Sequence, residues 1–148
     1  ETARGQAYYE ALASQLAQNL GVRPTLSRTL EAGGADALLA LDVQFWGMRY
    51  GKFEPYLVET WLAMAVGAYL GCVIQKRFDG LWSVGKNYWD SCVLIGERAW
   101  YPFRRAHHCL DGRTRRQVLQ SSLYVFYCAI EGATDASESP PAGERADA

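Results

Sequence analysis

Apolar side chains recur at helical spacing through the first half of the chain. Over Thr2–Leu20, Tyr and Leu return every three or four positions, and Gly21 and Pro24 then end the pattern. Three further helices are predicted: Thr25–Ala32, Ala35–Met48 and Pro55–Phe78. The N-terminal half is therefore expected to be helical, with a long central helix that ends in a turn at Asp79-Gly80.

The central helix carries small residues along one side. Ala63, Gly67 and Gly71 lie four positions apart and form a smooth stripe against which a neighbouring backbone can pack closely. A mid-helix Gly costs about 1 kcal/mol relative to Ala, so the stripe predicts a packing role. Residues Tyr56–Ile74 contain a single charge, Glu59, but this acid and the small residues favour a buried core helix over a membrane span.

The character of the chain changes after Gly80. Short runs rich in Trp, Val, Ile and Tyr predict three strands: Leu81–Val84, Cys92–Ile95 and Ala99–Tyr101. Their short connections predict an antiparallel meander. Two more helices are predicted, Pro102–Leu110 and Arg113–Ile130, with a turn at Asp111-Gly112 between them. The expected fold is α+β, with one globular domain over residues 1–132 and a disordered acidic tail over 133–148.

Bulk composition narrows the range of functions only slightly. The chain has 148 residues, 49% hydrophobic and 13% aromatic, which suffices for one domain with a core. A net charge of −1 gives no overall field that would steer the protein to nucleic acid or to a membrane. The cysteines form no C-x-x-C pair and are interpreted as reduced thiols of a cytoplasmic protein: Cys72, Cys92, Cys109 and Cys128.

Several short motifs occur together in the second half of the chain. They are Tyr69-Leu70-Gly71 followed by Val73, then Gly80-Leu81-Trp82, and later Pro102-Phe103 and Leu110-Asp111-Gly112. Over about residues 41–132 the chain resembles small uncharacterised bacterial domains with a Tyr-Leu-Gly-Glu-Val helix end and a Gly-Gly-x-Trp turn. The resemblance implies an α+β fold and no established activity. Cys72 stands where those domains commonly have an acid, and Asp79 replaces the first Gly, so no functional residue is carried over.

Candidate catalytic chemistry centres on His107-His108-Cys109. Zinc requires three or four converging ligands, and adjacent helical residues point about 100° apart, so another cysteine would have to complete a site. A nucleophilic Cys–His pair has no local signature here. Neither Gly-rich phosphate-binding motif occurs in the sequence. No cofactor is predicted.

The most unusual feature is a run of arginines interleaved with aromatic residues late in the chain. Interface hot spots are enriched in Trp, Tyr and Arg. The guanidinium group of Arg also forms paired hydrogen bonds with carboxylates and phosphates. The candidate binding residues for a protein or anionic partner are Arg98, Trp100, Tyr101, Phe103, Arg104, Arg105, Arg113 and Arg116. A solvated surface, neutralised by the acidic tail, is the alternative at this point.

The leading hypothesis is a non-catalytic bacterial accessory, adaptor or immunity-type factor that binds another protein through this run. The second hypothesis is an enzyme that depends on a cysteine or a metal, with Cys109 and His108 as the first candidates. The third is weak nucleic-acid binding by the basic strip Arg98–Arg116, which the net charge of −1 disfavours. No membrane partner is expected.

Overall fold

The computed structural model describes residues 2–20, 24–49, 60–111 and 117–138. These ranges contain the following elements: α1 (Thr2–Leu20), α2 (Pro24–Ala32), α3 (Gly34–Arg49), α4 (Thr60–Arg77), β1 (Leu81–Ser83), a 3-10 helix (Tyr88–Asp90), β2 (Cys92–Ile95), β3 (Arg98–Trp100), α5 (Pro102–Leu110), α6 (Val118–Ser121) and α7 (Leu123–Glu138). The strands form one antiparallel sheet in the order β1-β2-β3. The predicted α+β fold is confirmed, and α1, β2 and α5 begin and end at the predicted residues.

The buried helix α4 packs against both α1 and α5, and its glycines make this packing possible. A Cβ atom added at Gly67 would lie 2.8 Å from the Cα of Phe103. A Cβ atom added at Gly71 would lie 2.5 Å from Cζ2 of Trp82. Real Cβ atoms essentially never approach so closely, so only glycine lets Phe103 and Trp82 reach the helix. The predicted packing role of the glycine stripe is confirmed.

The end of α4 places the first strand. Asp79 adopts the left-handed conformation, with a φ of 53°, and the Gly80 N–H donates to the Gln75 carbonyl at 2.9 Å. This is the 6→1 bond of a Schellman motif, which satisfies a carbonyl that the helix leaves without a partner. The predicted turn at Asp79-Gly80 is confirmed, and β1 starts directly after it.

The sheet has one covered face and one exposed face. Trp82, Val93 and Trp100 lie opposite one another across the three strands. The first two are buried, and the half-buried Trp100 packs edge-to-face on Phe126 of α7. The adjacent row, on the other face, consists of Leu81, Leu94 and Ala99. All three side chains of that row are exposed, so the helices that the structure describes cover only the opposite face of the sheet.

The prediction of one continuous final helix was wrong. α6 ends at Ser121 and α7 begins at Leu123. Ser122 caps the second helix, because its Oγ accepts a hydrogen bond from the Val125 N–H at 3.0 Å. Ser122 also donates to the buried carboxylate of Asp42 on α3, which holds the break in place.

The boundary predicted for the C-terminal tail also differs from the structure. α7 continues to Glu138, beyond residue 133, where the tail was predicted to begin. Residues 139–148 of the predicted tail lie outside the described residues, as do Gly112 and the predicted start of the central helix at Pro55. Among the helices described here, none is long and apolar enough to cross a membrane.

Candidate interaction site

Helix α5 presents Arg104 beside the 3-10 helix. The guanidinium carbon lies 4.1 Å from the centre of the Tyr101 ring and 5.9 Å from that of the Trp89 ring. Its Nε donates to the Trp89 carbonyl at 3.0 Å, and its Nη2 to the Asp90 carboxylate at 3.4 Å. His107, one turn along α5, meets the Trp89 ring edge-to-face at 5.4 Å. We call these five residues, Trp89, Asp90, Tyr101, Arg104 and His107, the Trp89 cluster.

The 3-10 helix that carries Trp89 is fixed at both ends. Asn87 accepts a hydrogen bond from the Asp90 N–H at 3.2 Å and so caps the beginning of this turn. The hydroxyl of Ser91, at its end, is hydrogen-bonded to the Tyr9 hydroxyl of α1 at 2.7 Å. The turn is therefore tied to the helical core, and it leaves Trp89 37% exposed.

The Trp89 cluster contributes more to the order of its surface than to the stability of the fold. The side chains of Arg104 and Asp90 are 40% and 54% exposed, and ion pairs with such exposure contribute little. A cation over an exposed aromatic ring adds about 0.5–1 kcal/mol. The arrangement nevertheless groups two partly exposed rings and a partly exposed guanidinium on the surface, where they can bind an aromatic or acidic group of a partner.

Arg105, the neighbour of Arg104, turns into the protein. Its Nη1 donates to the Leu119 carbonyl at 2.9 Å and to the Ser122 carbonyl at 3.4 Å. The guanidinium lies 5.0 Å from the centre of the Phe126 ring. Burial lowers the pKa of Arg105, while the nearby Asp42 acts in the opposite direction. Arg105 therefore joins α5 to α6 and to the start of α7, and it is not part of a continuous basic strip.

Arg98 and Trp100 form a second pair on β3. The Arg98 guanidinium lies 5.4 Å from the Trp100 ring, which in turn packs against Phe126 of α7 at 5.7 Å. An open cleft of about 890 Å³ lies beside them, between the turn from β2 to β3 and the ends of α4 and α7. This pair thus faces α7, whereas the Trp89 cluster lies between α5 and the 3-10 helix.

The six predicted binding residues that the structure describes do not form one surface. Phe103 is fully buried, so its predicted role as a contact residue was wrong. Its ring lies 4.7 Å from that of Tyr9, inside the core. Arg113 and Arg116 lie outside the described residues. The structure brings the others together as two pairs and an inward-turned arginine: Arg104 with Tyr101, Arg98 with Trp100, and Arg105.

Burial opposes the ionisation of three residues behind the enzyme hypothesis, Cys72, Cys92 and His108. Burial raises the pKa of the Cys72 thiol to about 11 and also raises that of Cys92, whereas a nucleophilic cysteine needs a lowered pKa. Cys109 is fully buried, with its Sγ 3.6 Å from the Asp42 carboxylate. Burial is the main cause of a lowered pKa at His108. In the part of the chain that the structure describes, no three His, Cys, Asp or Glu side chains are placed to hold one metal ion.

Sequence reasoning missed Trp89 and Asp42, although each had a local signal. Asp42 is the only charged residue between Ala37 and Trp46, and an acid on the apolar side of a helix needs buried partners. Asn87 precedes Trp89 by two positions, where its side chain is suited to cap a short turn. Neither signal shows which distant residues complete the site.

The fold and the site together define the class of this protein: a small α+β domain with an ordered cluster of aromatic and arginine side chains on its surface. No protein-family model matches the chain, and no curated protein or solved structure matches it at a significant level.

Proposed function

We propose that this chain is a non-catalytic bacterial protein of the cytoplasm that binds another protein, as an accessory, adaptor or immunity-type factor. Its partner contacts the Trp89 cluster. The observation that carries the proposal is the position of Arg104, whose guanidinium lies against the rings of Tyr101 and Trp89 and is held by two hydrogen bonds.

The order of this cluster favours binding. A free arginine side chain has about 2 kcal/mol of rotamer entropy, part of which is lost whenever a partner immobilises it. Arg104 is already restrained by Trp89, Asp90 and Tyr101 before any partner arrives. Association therefore loses less conformational entropy here than at a mobile arginine.

The residue types also support a protein partner. Trp, Tyr and Arg dominate the few residues that provide most of the binding energy in protein interfaces. The exposed part of Trp89 offers apolar area to bury, and a partner carboxylate can replace Asp90 on the outer edge of Arg104. Because the pair with Asp90 contributes little to folding, losing Arg104 should weaken binding more than stability.

A photo-crosslinking amino acid at position 89 tests the proposal in cells that produce the chain naturally. The matched control carries the same amino acid at Tyr8, an aromatic residue on α1 that is 53% exposed. We expect a discrete protein adduct from position 89 that is absent from position 8. Identical adduct patterns from both positions would count against the Trp89 cluster.

The partner identified in this way permits a direct measurement of affinity. Arg104→Ala should weaken binding by about 2 kcal/mol, or roughly 30-fold, as expected for a hot-spot arginine. Arg28→Ala, which removes an exposed arginine from α2, should leave the affinity unchanged. Equal affinities of the two variants would contradict the proposal.

A further inference from the structure

Strand β3 lies at the edge of the sheet. Among the described strands it pairs with β2 alone, in the antiparallel register Val93↔Trp100, Leu94↔Ala99 and Ile95↔Arg98. The two strands are joined by Gly96 and Glu97, and Gly96 has a φ of 61°. A two-residue connection with a positive φ at its first position fits a tight hairpin turn. Among the described elements, β2 is the principal neighbour of β3.

The hairpin geometry determines which backbone groups of β3 point outward. In a hairpin with a two-residue loop, the residues that flank the loop form a hydrogen-bonded pair, and the pairs then alternate along the ladder. Ile95↔Arg98 and Val93↔Trp100 are therefore hydrogen-bonded pairs, whereas Leu94↔Ala99 is not. The N–H and C=O of Ala99 therefore point away from β2, toward the open edge of the sheet.

The side chains of β3 are complementary to a second β3 strand. If two copies pair antiparallel about Ala99, each Ala99 N–H donates to the carbonyl of Ala99 in the other copy. The small Ala side chain causes no clash at the two-fold axis. Arg98 then lies opposite Trp100 of the other copy, at the 4.5–5.5 Å Cβ separation of directly opposed residues. The Arg98 guanidinium already lies 5.4 Å from the Trp100 ring of its own strand, so its reach suits the opposed ring as well.

We infer that a second copy of this chain binds along β3 and that the two sheets join into one six-stranded antiparallel sheet. The contact is isologous, because one strand supplies both the cation and the ring that the other copy needs. Backbone hydrogen bonds at a free edge are the usual source of affinity in strand addition. A strand of three residues makes a small interface, so the dimer forms only as the protein concentration rises. This dimer uses residues outside the Trp89 cluster, and its failure would leave the proposed function standing.

Disulfide trapping tests the register. The Cα atoms of a hydrogen-bonded antiparallel pair are about 5.5 Å apart, which is within the range that a disulfide spans. We expect Ala99→Cys to form a covalent dimer under copper–phenanthroline-catalysed air oxidation, visible on a non-reducing gel. Ala11→Cys, at an exposed alanine of α1, and the wild-type chain measure the background from random encounters and native thiols. Crosslinking of Ala99→Cys at the background rate would overturn the inference.

Sedimentation equilibrium tests the association without a covalent trap. The wild-type mass should rise from 16.5 kDa toward twice that value with increasing concentration. Ala99→Pro removes the outward N–H alone and should remain at the mass of one chain, because proline is tolerated on an edge strand. Thermal unfolding of the same variant shows whether its fold is intact. Arg98→Glu is a second variant that should prevent the dimer, and Arg28→Glu is its control. A wild-type chain that stays at 16.5 kDa at every concentration would overturn the inference.

Discussion

The carboxylate of Asp42 on α3 accepts a hydrogen bond from the Ser122 hydroxyl at 2.6 Å, although 80 residues separate the two. The same carboxylate accepts from the N–H groups of Leu123 at 2.8 Å and Tyr124 at 3.1 Å. These N–H groups belong to the first turn of α7, which has no helical acceptors for them and carries the positive end of the helix dipole. One buried acid therefore joins α3 to α7 and defines where α7 begins.

Replacing Asp42 should destabilise the fold strongly. Asp42→Ala leaves the Ser122 hydroxyl and two backbone N–H groups buried without their acceptor, so we expect a loss of about 3–5 kcal/mol in the free energy of unfolding. Urea denaturation followed by circular dichroism measures this loss. Asp36→Ala, at an exposed acid in the first turn of the same helix, should cost less than about 1 kcal/mol. Similar losses in the two variants would show that the Asp42 contacts are not what holds α7.

The local sequence pattern predicted those helices and strands whose ends depend only on residues within or next to the element. The bounds of α1 and α5 were predictable from apolar spacing and from the positions of proline in the sequence, both of which are local signals. The break at Ser122 could not be predicted in this way, because the acceptor that stabilises it comes from Asp42 on another helix.

In the candidate site, too, some side-chain positions follow from the local sequence and others depend on distant residues. The buried position of Phe103 was predictable from α5 alone, since Phe103, Ala106 and Cys109 share one face of that helix and are all buried. The divergence of Arg104 and Arg105 was not predictable. It depends on the Trp89 carbonyl for one arginine and on the Leu119 carbonyl for the other, and no local pattern indicates that these acceptors converge on α5.

Two glycines in helices should respond in opposite directions to the same substitution. Gly67→Ala would force Phe103 away from α4, and we expect a loss of about 1–3 kcal/mol because the core has no room for the added methyl. Gly132→Ala on α7 meets nothing within 4 Å, so it should gain about 0.5–1 kcal/mol from the better helix propensity of Ala. Thermal melts of both variants beside the wild type give the sign of each change. A stabilised Gly67→Ala protein would contradict the close approach of Phe103.

Alanine substitutions at the two neighbouring arginines of α5 should differ in their effect on stability. Arg105→Ala removes the donor to the Leu119 carbonyl and the contact with Phe126, so it should lower the free energy of unfolding by about 1.5–3 kcal/mol. Arg104→Ala removes exposed contacts only and should cost less than about 1 kcal/mol. Chemical denaturation of the two variants measures the difference. Equal destabilisation would place both side chains in the same kind of environment, contrary to the structure.

The thiol of Cys72 should make the fold sensitive to alkaline pH. It is 8% exposed, and burial raises its pKa from 9.0 to about 11, with a smaller contribution from Glu10 in the same direction. Well below pH 9 the thiol is neutral in both the folded and the unfolded chain, so its contribution to stability is complete. Between pH 9 and 11 the unfolded chain ionises first, and stability should fall by about 2–3 kcal/mol from this group.

The comparison that isolates Cys72 is the pH dependence of unfolding in the wild type and in Cys72→Ala. Other buried groups with raised pKa values, such as Tyr69, titrate in both proteins and cancel in the difference. The variant starts less stable because its core loses an atom, but its stability should fall less steeply between pH 9 and 11. Alkylation provides an independent check, since a neutral buried thiol reacts slowly at pH 8 in the folded chain and quickly once urea exposes it. Parallel pH curves for the two proteins would show that Cys72 ionises as easily in the folded chain as in the unfolded one.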